Sequence, residues 1–287
     1  MTSQPELNYH GRKLARVLKK LREQGSLTQE QAGERACIDP RKLGRLERRQ
    51  LPTYHELITL LDAYGIPSCD HTPHLELWEQ AKQRPWWQEF HPDDVRYVRL
   101  ADYASRKIEY QLTQVPTLLH TEAHARWSIA KRCPSLVAKR VAFLMRQQQR
   151  LITPPVLRFH ALIHESVLQQ GLDRAQLAKL VECAELPNVT LQLVPQAFTD
   201  PELTSSVSLL SFDDPDEPDS VFTESVIGLQ ESHDPLHTGS TRRLLGNAAG
   251  HAMSPEASLT RLQAQIGRRT SDTVRAVECY AASRTRI

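Results

Sequence analysis

Residues 28 to 53 constrain the fold of this chain more than any other stretch. Thr28 followed three residues later by Gln31 reads as a capping box, in which side chains close the free N–H groups of a helix start. The helix it opens runs through Ala32 to Ala36. A turn, Ala36-Cys37-Ile38-Asp39, comes next. Asp39 caps a second helix, and Pro40 suits its first position because the N–H it lacks has no partner there. Leu43 and Leu46 fall inward, while Arg41, Lys42, Arg45, Arg48 and Arg49 fall outward. Pro52 breaks the chain. Two short helices joined by a tight turn, the second with a basic outer face, form the plan of a helix-turn-helix.

The flanks extend the plan. Leu14, Val17, Leu18 and Leu21 recur on one helical face between Gly11 and Gln24, and Gly25 reads as the stop. Leu57, Leu60 and Leu61 mark a fourth helix that ends near Tyr64-Gly65, and a fifth is expected around Leu75 to Ala81. Charge is distributed to match. Gly11 to Gln50 holds twelve basic and five acidic residues, a local +7 in a chain whose total is +2, so the remainder carries −5. A basic head on a mildly acidic body is the asymmetry expected when only the head meets DNA.

On these residues the head, predicted as residues 1–82, resembles the lambda-repressor-like, or XRE, helix-turn-helix family. The match covers about residues 11 to 66 and implies an all-α domain of five helices. The resemblance places Gln29 where the family has a glutamine that meets a phosphate at the start of its second helix. It places Pro40, Arg41 and Arg45 at base-reading positions, where an arginine can donate twice to guanine O6 and N7. Lys42 and Arg48 become phosphate candidates, and Arg22 with Glu47 matches a pair that ties the first helix to the third. Two family glycines are replaced: Cys37 stands in the turn and Arg49 after the recognition helix.

From Pro85-Trp86-Trp87 onward, as residues 83–287, the pattern predicts an α+β domain of helices around a small, mostly antiparallel sheet. Tyr97 to Leu112 reads as an amphipathic helix, and Asp173 to Ala184 as another. Val156 to Glu165, Asn188 to Pro195, Ser206 to Phe212 and Ser220 to Val226 read as strands. Helices are expected at Leu259 to Ile266 and Thr273 to Ala282. The Trp86-Trp87 pair, Val115 to Thr121, Ile163-His164-Glu165 and Pro187 to Pro195 together resemble the marks of DUF5753, a domain carried behind XRE heads in actinobacterial regulators. In the loop at Val115 to Thr121, Thr117 stands at the family's glycine and His120 at its glutamine. The resemblance implies a regulatory body, often encoded beside a small partner protein and antitoxin-like.

Chemistry finds little support. His160-x-x-x-His164-Glu165 lies on a predicted strand, where it lacks the one-faced helical geometry of a metal hydrolase. His120-x-x-x-His124 has no evident third ligand. The five cysteines show no CxxC, and their odd count favours a reducing compartment. No apolar run approaches the ~18 residues of a membrane span. The expectation is a non-enzymatic cytoplasmic regulator without cofactor or metal, dimeric on a pseudo-palindromic double-stranded operator. Its body would sense a small molecule or small protein. The alternative is an antitoxin-like protein that neutralises a small partner and autoregulates its operon.

Overall fold

The computed structural model describes residues 7–90, 95–132, 134–226 and 228–267. It divides into two compact units: the first runs to His91 and includes Asp214–Glu217, and the second holds the remainder.

The first unit contains five α-helices between residues 9 and 82: α1 (Tyr9–Gln24), α2 (Gln29–Ala36), α3 (Pro40–Leu46), α4 (Tyr54–Ala63) and α5 (Thr72–Lys82). Local chemistry sets their starts. Thr28 and Thr53 each form a complete capping box, with Gln31 and Glu56. Asp39 accepts from the Lys42 N–H at the front of α3. Leu14, Leu18, Leu43, Leu46, Leu57, Leu60 and Leu61 are fully buried in one cluster that Trp78 joins. Each such leucine contributes about 2 kcal/mol by leaving water. The Trp78 indole N–H donates to the Pro52 carbonyl at 2.7 Å, which pins α5 to the segment between α3 and α4.

The second unit is a six-stranded mixed sheet, wider and more parallel than the small, mostly antiparallel sheet expected. The strands are β1 (Arg106–Gln111), β2 (Arg158–His164), β3 (Val189–Val194), β4 (Val207–Ser211), β5 (Ser220–Ser225) and β6 (Gly228–Ser232). Their spatial order is β3-β2-β1-β4-β5-β6. The pairs β1–β2 and β2–β3 are parallel; β1–β4, β4–β5 and β5–β6 are antiparallel. The helices α6 (Val95–Ala101), α7 (Glu122–Arg132), α8 (Val137–Gln148), α9 (Arg174–Ala184) and α10 (Pro235–His251) complete it, with a further helix over 255–267. The expected helix at Thr273 to Ala282 lies outside the described residues.

The correction turns on β1. Tyr97 to Leu112, predicted as one helix, is α6 followed by the central strand. Along β1, Lys107, Glu109 and Gln111 are buried polar residues that alternate with Ile108 and Tyr110. Lys107 bridges Glu109, the Gln111 amide donates to Glu109 at 2.6 Å, and Ser206 donates to Gln111 at 2.7 Å. Burial opposes the Lys107 ammonium, but Glu109 and the Tyr97 hydroxyl outweigh it and raise its pKa. A charged strand flanked by partners from distant segments has no apolar signature. Both faces of the sheet are covered, by one cluster that includes α9 and another that includes α10.

The loop that leads out of β1 is strapped by side chains. Gln176, fully buried, accepts from the Thr121 N–H at 2.8 Å and donates to the Leu119 carbonyl at 2.7 Å. Gln148 donates to the His120 carbonyl at 2.8 Å, and the His120 ring donates through Nε2 to the Val115 carbonyl at 2.9 Å. His160 and His164 do lie on a strand, and each has its own partner, Gln192 and Ser166.

Candidate nucleic-acid interface

The helix-turn-helix is built to bring the front of α3 to the surface beside the start of α2. Gly33 permits the close crossing: a Cβ there would stand 2.5 Å from the Ile38 carbonyl oxygen, closer than backbone can tolerate. The turn then reverses at Cys37, whose φ of 54° and ψ of 39° are left-handed. A side chain in that region costs about 1–2 kcal/mol that glycine avoids. Cys37→Gly should therefore stabilise the head by about 0.5–1 kcal/mol after the glycine's own entropy loss. Slower amide exchange in α2 and α3 would report it, and faster exchange would contradict it.

Gln29, Glu30, Pro40, Arg41, Gly44, Arg45, Arg48 and Arg49 line one open groove of about 620 Å³. Of the six residues predicted from sequence, Gln29, Pro40, Arg41, Arg45 and Arg48 meet there. Lys42 is not among the lining residues; its ammonium pairs with Glu56 at the start of α4. Burial raises the Glu56 carboxyl, but Lys42 and the Thr53 cap outweigh it and hold it below its usual range. Glu30, Gly44 and Arg49 line the groove without having been singled out for it. Arg49 carried a signal, as the last member of the outward basic run; Glu30 lies in the first turn of α2.

The arginines differ in how they are held. The Arg45 Nε donates to Gln50 at 3.3 Å and the Arg48 Nε to the Gly44 carbonyl at 3.1 Å, so each guanidinium keeps its outer amino groups for another acceptor. Among the described residues, the Arg41 and Arg49 guanidinium groups have no partner. Gln29 donates to Glu47 at 2.8 Å, and a Cβ on Gly44 would stand 3.3 Å from its amide oxygen. Gly44 thus leaves room for the glutamine at the mouth of the groove.

Beneath this surface Glu47 anchors the arrangement. Arg22 Nε and Nη2 bond its two carboxylate oxygens at 2.6 and 3.1 Å, and Arg22 Nη1 donates to the Leu27 carbonyl at 2.8 Å. The bond to Glu47 raises the Arg22 pKa, so the guanidinium stays charged although buried. The expected tie between the first and third helices is present, and Gln29 is its third member.

Fold and surface together define a DNA-binding regulator of the helix-turn-helix class. A helix-turn-helix domain model matches residues 13–75, over these same elements. The chain belongs to the DUF5753 family, described as a domain of unknown function, whose model matches residues 95–264. No curated protein matches the chain. Among the described residues no helix is long and apolar enough to cross a membrane.

Proposed function

We propose that this chain is a sequence-specific transcriptional regulator that acts as a dimer on a pseudo-palindromic operator, with its DUF5753 body sensing a small molecule or a small protein. One observation carries the DNA-reading part: four arginines, on α3 and just after its end, line a single groove, and the guanidinium groups of Arg41 and Arg49 have no partner among the described residues. Guanidinium groups aimed from a helix that enters the major groove can donate twice to a guanine edge. Arg41 and Arg45, on the first two turns of α3, take that role. Arg48 and Gln29 suit the flanking phosphates, as does the start of α2, where backbone N–H groups favour an anion. Lys42 reaches a phosphate only by releasing Glu56. Pro40 sets the front of α3 and packs close to Gly33. Two such heads would place recognition helices in successive major grooves about 34 Å apart.

Genome-wide capture with the tagged protein, followed by salt-titrated binding to the recovered sites, tests the proposal. The expected result is a few sharp sites that share an inverted repeat. Arg41→Ala should cost about 1–3 kcal/mol and relax the preference at one base position per half-site, while Arg48→Ala should weaken all sequences alike and reduce the salt slope by about one. Recovery of an unchanged sequence motif by Arg41→Ala would remove that residue from base reading. Diffuse, wholly salt-sensitive binding by the wild type would overturn the sequence-specific reading.

A further inference from the structure

The two edges of the body's sheet are treated differently. At the β3 edge, the Leu193 N–H donates to Ser258 Oγ and the Leu193 carbonyl accepts from the Met253 N–H, both at 2.9 Å. Gln192 adds a bond to the Met253 carbonyl at 2.9 Å. The segment after α10 thus occupies that edge. β6 has no such cover among the described residues: its one neighbour is β5, and Gly228, Leu229 and Gln230 are exposed. Gly228–Ser232 holds neither a proline nor a lysine, and its one charged side chain is Glu231. Apolar surface collects beside it instead. Leu229 is 40% exposed, Val226 in the preceding turn is fully exposed, and Leu236 in the first turn of α10 is 78% exposed. Ser232 at the end of β6 contacts His237 on that turn at 2.9 Å, which keeps Leu236 near the strand.

We propose that β6 is the surface through which two copies of this chain associate, edge to edge and antiparallel about a two-fold axis. The occupant follows from symmetry. An antiparallel edge is complementary to itself, because residue i facing j requires j to face i, which is the condition for a closed two-fold interface. An axis at Leu229 sets that leucine against its own copy and keeps Glu231, held by Arg96 at 3.6 Å, away from its like. The backbone groups of Gly228, Leu229 and Gln230 then face those of the other copy, and Val226 and Leu236 flank the join. The proposal rests on the reading that this regulator works with two heads, and it assigns the joining surface.

Sedimentation of the full-length protein at micromolar concentration is the test, with Leu229→Lys and Leu229→Glu. The wild type should run as a dimer. Each variant should run as a monomer with an unchanged circular dichroism spectrum, because like charges then face each other across the axis. An equimolar mixture of the two should restore the dimer. A monomeric wild type, a dimeric Leu229→Lys, or a mixture that stays monomeric would each overturn the proposal. DNA binding separates this outcome from the fate of the functional reading. Leu229→Lys should bind a single half-site as well as the wild type, and should lose roughly 100-fold in affinity for the paired site. Failure of the wild type to bind any duplex would count against DNA reading and leave the sedimentation result standing.

Discussion

Arg22→Ala should destabilise the head by about 3–5 kcal/mol, more than any substitution on the groove itself. The reason is what remains. Glu47 is 5% exposed, and without the guanidinium its carboxylate keeps, among the described residues, only the neutral Gln29 amide as a side-chain hydrogen-bond partner. The Leu27 carbonyl loses its donor as well. An uncompensated buried charge costs more than an intact pair contributes, because the desolvation has already been spent and nothing offsets it. The double variant Arg22→Met with Glu47→Met should recover most of the loss, since it removes both charges and fills the space. Amide exchange in α1 and α3 measures both. A loss under about 1 kcal/mol in the single variant, or no recovery in the double, would mean that the pair is not buried as described. The double variant should still bind DNA more weakly than the wild type, because Gln29 no longer has the carboxylate that orients it at the groove.

The head was readable because its determinants are local. Thr28 with Gln31, Asp39 before Pro40 and Leu43 with Leu46 act over three or four residues, and the α2–α3 unit formed where they placed it. The Arg22–Glu47 pair spans 25 residues and was visible only through the family pattern. Lys42 shows the limit. On its own helix it belongs to the outward basic run, but its partner Glu56 lies on the next helix, beyond the reach of any periodicity. In the body the same limit decided the topology. β2, β3, β4 and β5 carry apolar or β-branched runs and were recognised. β1 was not, since a strand bearing Lys107, Glu109 and Gln111 does not look central until its partners are known. β6 was missed for the opposite reason: with Leu229 and Gln230 exposed, it has the composition of a loop. Without β1, which joins the parallel β2–β3 pair to the antiparallel β4–β5 pair, the expected sheet came out smaller than the one found.

The body should lose stability in mild acid through one histidine. His120 is 3% exposed, and burial, with the neighbouring His124, lowers its pKa to about 4. The Val115 carbonyl and the more distant Glu109 act in the other direction without reversing the shift. Its ordinary value is 6.5. The folded body therefore holds the ring neutral, with Nε2–H bonded to Val115, while the unfolded chain takes up a proton as pH falls below 6.5. The contribution is complete above about pH 6.5 and is lost as pH falls toward 4, by about 3 kcal/mol in all. Other histidines in the body, His124, His160 and His164, are also lowered by burial, so the total slope is not His120's alone. His120→Gln isolates it. A glutamine amide can donate to the same carbonyl but does not titrate, so the variant should match the wild type at pH 7 and exceed it in the urea midpoint of the body at pH 4.5. Equal midpoints at both pH values would show that the ring is not held neutral. A variant already weak at pH 7 would show instead that the imidazole shape, packed edge-on against His124 at 4.7 Å, is what closes the loop leaving β1.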